Sequence, residues 1–209
     1  MIVPRFTHEQ CLILTDADAE SLLATAMASE HQSISSTNPS MLIPAWWGAN
    51  DTDLDLVLSA LEPAARKHAD IFGLQLLADH AIYPPESSDP SQIALHATQT
   101  RMLLDASYLA IQLGLKRLVW PVRIPMNHPD RIKGIGDALD RAMLVSRLVS
   151  IDADETTAPE IVIETPFIDL TDAQIADLAM DMAIPLESCW WASARISPSP
   201  KRVSTRGRA

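Results

Sequence analysis

Glycine is scarce in this chain: six residues in 209, none of them before Gly48. That shortage leaves the first 47 positions without a glycine-rich phosphate cradle, since glycine is what lets backbone approach phosphate closely and adopt positive φ. Two cysteines, Cys11 and Cys189, supply no metal or disulfide framework by spacing, and a bridge between them is not expected in a reducing compartment. Six histidines show neither HExxH nor another metal spacing. No apolar run approaches the ~20 residues that span a bilayer. The start, Met1-Ile-Val-Pro-Arg-Phe-Thr-His8, lacks a signal-peptide apolar core and cleavage site. A soluble, cytoplasmic protein without a membrane partner is therefore expected.

What is present fits a globular domain. Hydrophobic residues make up 47% and charged residues 21% of the chain, near globular averages, so a sizeable single core can form. The net charge of −11 is uneven, because the last 15 positions hold five cations (Arg195, Lys201, Arg202, Arg206, Arg208) and no acid. Taking those five from the net −11 leaves −16 for the rest. An acidic body repels nucleic-acid phosphates, so nucleic acid is not an expected partner except through the basic tail. The expected division is one domain over residues 1–194 and a solvated Ser/Pro/Arg tail over 195–209.

Along the chain, Cys11-Leu-Ile-Leu14 suits a buried strand, followed by helical periodicity from Asp18 to Ser29. Ser40 to Trp47 reads as a second strand. An amphipathic helix over Asp53 to Phe72 ends at Gly73 and should kink or break at Pro63. Leu74 to Leu77 is a third strand, and a long helix from Gln92 to Leu113 closes at Gly114. Lys116 to Ile124 is a fourth strand, although Pro121 fits a central strand poorly. A helix from Ile132 to Val149 leads to the fifth strand, Glu160 to Glu164. Thr171, with Gln174 three residues on, forms a capping box for the last helix. This alternation predicts an α/β fold: a Rossmann-like parallel sheet of about five strands with helices on both faces. Ligands then belong at the strands' carboxyl ends: Thr15–Asp18, Trp46–Asp51, His80–Tyr83, Arg123–His128 and Pro166–Thr171.

The stretch Ile161-Val-Ile-Glu-Thr-Pro-Phe-Ile-Asp-Leu-Thr-Asp-Ala-Gln-Ile175, with Leu186-Glu-Ser-Cys-Trp-Trp191, resembles the last βα unit of 7-cyano-7-deazaguanine synthases. These enzymes of queuosine biosynthesis belong to the PP-loop ATP pyrophosphatase superfamily, whose fold is adenine nucleotide alpha hydrolase-like. The resemblance covers roughly Cys11 to Trp191. It implies a nucleotide site built from Thr15, Asp16, Asp18, Ser21, Trp46 and Gly48. Thr15 to Ser21 stands where the family has Ser-Gly-Gly-x-Asp-Ser, and Trp46-Trp-Gly-Ala-Asn50 stands for its Tyr-Gly-Gln.

The family's chemical residues are mostly replaced. Its Gly-Arg-Asn gives way near Ala94–Gln99, and its glycine and acid after the fourth strand become Trp120-Pro-Val-Arg123. The lysine that follows its Pro-Leu is Asp172, an acid where phosphate should sit. Ser188-Cys-Trp190 keeps one zinc-binding cysteine and no other follows, so zinc is not expected and no metal or catalytic residue is assigned. Cys189 reads as a small buried hydrophobe. The preferred reading is a pseudoenzyme-like ligand-binding or scaffold protein. The alternative is an active ligase in which Asp16 or Asp18 holds Mg²⁺ with ATP, a carboxylate is adenylated, and ammonia converts it to a nitrile. Asp16 and Asp18 also read as acidic helix N-caps. The five tryptophans suit stacking on a purine-like small molecule, core packing, or a homodimer contact.

Overall fold

The computed structural model describes residues 10–35, 39–47, 54–83, 92–153 and 160–192. The elements are β1 (Leu12–Thr15), α1 (Ala19–Ser35), β2 (Met41–Pro44), α2 (Leu54–Phe72), β3 (Gln75–Leu76), α3 (Gln92–Gln112), β4 (Arg117–Val119), α4 (Arg131–Asp152), β5 (Val162–Glu164) and α5 (Asp172–Asp181). All strand pairs are parallel, in the order β3-β2-β1-β4-β5. Gly48 and the basic tail lie outside the described residues.

Side-chain alternation divides the core. Leu12, Leu14, Ile43 and Leu118 pack with Met102, Leu103 and Ala106 of α3 and Val145 and Val149 of α4. Ile13, Leu42 and Val119 point the other way, onto Leu22 and Leu23 of α1, Ala69 of α2 and Ile175 of α5. Both faces are covered, so the central strands are largely apolar rather than alternating with polar residues, with Thr15 at the end of β1 and Arg117 at the start of β4 as buried polar positions. The edge strands β3 and β5 are two and three residues long, which limits pairing with other chains.

Several local signals act as their chemistry dictates. Gly73 and Gly114 take φ +66° and +71° after α2 and α3, the left-handed conformation that ends a helix. Thr171 Oγ1 accepts from the Gln174 N–H at 3.2 Å, and Gln174 Oε1 accepts from the Thr171 N–H at 2.9 Å. Two expectations need correction. Of the kink or break expected at Pro63, the break does not occur: α2 runs through it as one element, with Val57 and Leu61 before it and Ala64, Ala65 and Ala69 after it all buried in the fold. The fourth strand spans three residues, not nine. Trp120 still donates its N–H to the Glu164 carbonyl at 2.8 Å, but Pro121 has no N–H to continue the ladder.

Candidate functional site

The chain builds β2 and β3 on one side of β1, then crosses over to build β4 and β5 on the other. At the carboxyl ends of β1 and β4 the loops part, and a crevice opens at that switch point. It is a cavity of about 900 Å³, lined by Asp16, Asp18 and Glu20, by Trp120 to Pro125, and by the first half of α4. That volume suits a small organic ligand. All five tryptophans of the chain, Trp46, Trp47, Trp120, Trp190 and Trp191, line it.

The loop after β1 is closed on itself. Thr15 Oγ1 accepts from the Ala17 N–H at 3.1 Å, and Ala17 takes φ +57°. Asp16 Oδ1 accepts from the Asp18 N–H at 3.3 Å and from Ser21 Oγ at 2.8 Å. Asp18 Oδ1 accepts from the Ser21 N–H at 2.9 Å, capping α1. The amides that a phosphate would use at this helix N-terminus therefore face the loop's own carboxylates. Of the sequence-nominated residues, Asp16, Asp18 and Trp46 line the cavity, while Thr15 and Ser21 are buried and do not line it.

The buried acids are electrostatically costly. Burial raises the Asp16 carboxyl to about 6, against hydrogen bonds from Asp18 and Ser21 and with added repulsion from Glu20. Burial also raises Asp18 well above the usual carboxylate range, helped by the charges of Asp16 and Glu20. A carboxyl whose folded pKa exceeds its unfolded value destabilises the fold above the folded pKa, and the cost vanishes below the unfolded one. Stability is thus expected to rise as pH falls from about 6 to about 4, with Asp16 contributing on the order of 2–3 kcal/mol of the change. Urea unfolding of wild type and Asp16→Asn across that range checks this. The substitution should flatten the trend, and a wild-type trend in the opposite direction would refute it.

Arg123 is the counter-charge. Its guanidinium donates Nε–H to Glu20 and Nη1–H to Asp172, tying β4's exit to α1 and α5. The opposite wall is more basic. Arg141 donates to Gln99 Oε1 at 2.9 Å and Thr100 Oγ1 at 3.2 Å, with no carboxylate within ion-pair reach among the described residues. Lys133 pairs with Asp137 one turn away. Sequence reasoning missed this wall, although the polar series Lys133, Asp137, Arg141 at spacing i, i+4, i+8 marks one face of α4.

The C-terminal segment completes the crevice. The Trp190 N–H donates to the Ala17 carbonyl at 3.0 Å, and Trp190 meets Trp46 edge-to-face at 5.8 Å and 89°. His68, buried on α2, lies with Nε2 3.2 Å from the Ser188 carbonyl. Burial lowers this histidine to about 4, so it is neutral at pH 7 and donates that bond. Burial and the charges of Asp18, Asp16 and Glu20 push the Cys189 thiol up to about 12. At neutral pH it stays protonated, which argues against a nucleophilic role.

Neither the ATP nor the zinc that the resemblance implies fits this chemistry. The phosphate amides are engaged by carboxylates, and Cys189 is a lone buried thiol. No group of three or more His, Cys, Asp or Glu among the described residues is arranged to hold a metal ion. No described helix is long and apolar enough to cross a membrane.

The fold is that of a doubly wound, Rossmann-like α/β protein with a crevice at the topological switch point. No family model and no curated protein matches the sequence. In fold the chain is similar to the U34-tRNA thiolase NcsA from Methanococcus maripaludis, a structure holding a [4Fe-4S] cluster, with a TM-score of 0.51 and 9% identity. The match covers 88% of this chain and 59% of that one, so this chain spans about three-fifths of the neighbour's length. At that identity the likeness concerns the fold alone.

Proposed function

We propose that this chain is a divergent member of the PP-loop superfamily, similar to 7-cyano-7-deazaguanine synthase, that binds a small purine-like molecule without the ATP-dependent reaction. The observation that carries this reading is the self-occupied loop. Asp16 and Asp18 engage the Asp18 and Ser21 amides, and a triphosphate would have to displace buried carboxylates to reach them. The negative charge that Asp16 carries above pH about 6 opposes a second anion. The tryptophan-lined crevice supports a planar ligand, since indoles offer wide apolar faces for stacking. Arg141 and Gln99 on the opposite wall offer donors and an acceptor for such a molecule's polar edge.

Calorimetry with Mg·ATP and with AMP, on wild type, Asp16→Ala and Asp18→Ala, tests the reading. Wild type is expected to show no saturable heat at millimolar nucleotide. Saturable binding that either substitution weakens would instead favour the active ligase, with the loop holding nucleotide. Titrating a deazapurine while following tryptophan fluorescence tests the second half, because every indole in the chain lines the crevice. An unchanged spectrum at millimolar ligand would remove the purine-like proposal.

A further inference from the structure

Two of the tryptophans in the crevice form a corner. Trp46 follows β2, Trp190 follows the turn Leu186–Ser188, and their rings stand at 89° with centroids 5.8 Å apart. Both are half-buried, whereas Trp47 and Trp120 are buried. Carboxylates stand beside this corner. The Trp190 N–H donates to the Ala17 carbonyl at 3.0 Å, and Trp190 packs with Ala17, Ala64 and Ala65. That contact sets the indole against the turn whose flanking residues are Asp16 and Asp18. The cations of the crevice do not neutralise that turn. Arg123 is taken by Glu20 and Asp172, and Lys133 by Asp137, so neither Asp16 nor Asp18 has an ion partner among the described residues.

We infer that this corner is a site for an organic cation, a quaternary ammonium or an N-alkylated aromatic ring, held by cation–π contact with Trp46 and Trp190 and by the negative charge of the loop after β1. Indole presents the best face for such a contact, because its ring quadrupole is negative above and below the plane. Rings set at right angles offer faces in two directions, which suits a rounded or stacked cation. A cation of this class carries its charge under carbon and has no N–H to satisfy. It therefore needs no direct ligand from Asp16 or Asp18, whose oxygens already accept from the loop's own amides. A metal ion would need those oxygens, and no described cluster is arranged to hold one. The charge that opposes an anion here favours a cation for the same Coulombic reason. The inference rests on the crevice being a small-molecule site, as proposed above, and adds the sign of the ligand's charge.

Calorimetry at about pH 7.5 compares each kind of cation with an uncharged counterpart of similar shape: choline with 3,3-dimethylbutan-1-ol, and N-methylquinolinium with quinoline. The pair that binds tells a compact cation from a planar one. At least one cation is expected to bind saturably, about ten-fold or more tighter than its counterpart. Trp46→Leu keeps an apolar side chain but removes the π face. It should weaken the cation about ten-fold and leave the counterpart within about two-fold, with Trp46→Phe in between. Asp16→Asn should weaken the cation several-fold through lost charge. Circular dichroism verifies that each variant is folded. Equal binding of cation and counterpart would overturn the inference. So would a Trp46→Leu variant that weakens both alike, or no saturable binding of either cation up to about 20 mM. A deazapurine that fails to bind where a cation succeeds removes the purine-like reading alone, and the reverse result removes this one alone.

Discussion

Arg123→Met is expected to destabilise the fold by about 3 kcal/mol, because it leaves the Glu20 side chain without its ion partner in a nearly buried position. The Glu20 side chain is 9% exposed and that of Arg123 20%, so the pair is desolvated enough for its loss to matter. The second partner, Asp172, is 78% exposed and adds little, as exposed pairs generally do. Asp16 and Asp18 aggravate the loss, since both sit close enough to Glu20 to feel its charge. Removing the acid together with the base should undo most of the damage. Glu20→Gln/Arg123→Met is expected to lie within about 1 kcal/mol of wild type, the pattern of a buried pair that specifies geometry more than it stabilises. Chemical denaturation of the two single variants and the double gives the coupling directly. A double variant as unstable as Arg123→Met would mean that Arg123 acts through packing. The consequence reaches the crevice, because this ion triad joins the start of α1, the exit of β4 and the start of α5.

The parts of the fold legible in the sequence are those set by local chemistry. Gly73 and Gly114 end helices because a left-handed residue is needed there, and Thr171 with Gln174 caps α5 through atoms three residues apart. The central strands were readable as short apolar runs, because a sheet covered on both faces needs no alternation. Strand length and helix continuity at proline were not. β4 stops where Pro121 removes a donor, while α2 continues through Pro63 because buried residues on both sides hold it in place. Each outcome depends on what lies against the proline in space.

The same division applies to the site. The loop after β1 was recognisable, and so was the capping chemistry of its acids, which Asp18 performs for the Ser21 amide. That Asp16 turns inward onto Ser21, and that Glu20 finds its cation 103 residues away, are products of the tertiary fold. The gathering of all five tryptophans is likewise invisible along the chain, where they fall in three separated places. The polar stripe of α4 could have been found, because Arg141 lies on the helix face next to the buried Ala138 and Ala142.

The loop's turn gives the last and sharpest expectation. Ala17 holds φ +57° and is fully buried against Ala64, Ala65 and Trp190. The left-handed conformation costs a non-glycine residue about 1–2 kcal/mol. Ala17→Gly removes that strain, but it exposes a methyl-sized void worth about 0.8 kcal/mol and frees the unfolded chain by a further 0.4–1 kcal/mol. These terms nearly cancel, so the glycine variant is expected within about 1 kcal/mol of wild type. Ala17→Val has no such compensation. Branching at Cβ clashes with left-handed backbone, and two added methyl groups have no space beside Ala64 and Ala65, so a loss of about 3 kcal/mol or more is expected. Thermal and urea unfolding of the two variants separate these cases. A left-handed turn of the kind glycine makes most easily is held here by alanine. If Ala17→Gly is as stable as wild type yet takes up no inorganic pyrophosphate, the carboxylates of Asp16 and Asp18, rather than the missing glycine, are what close the site.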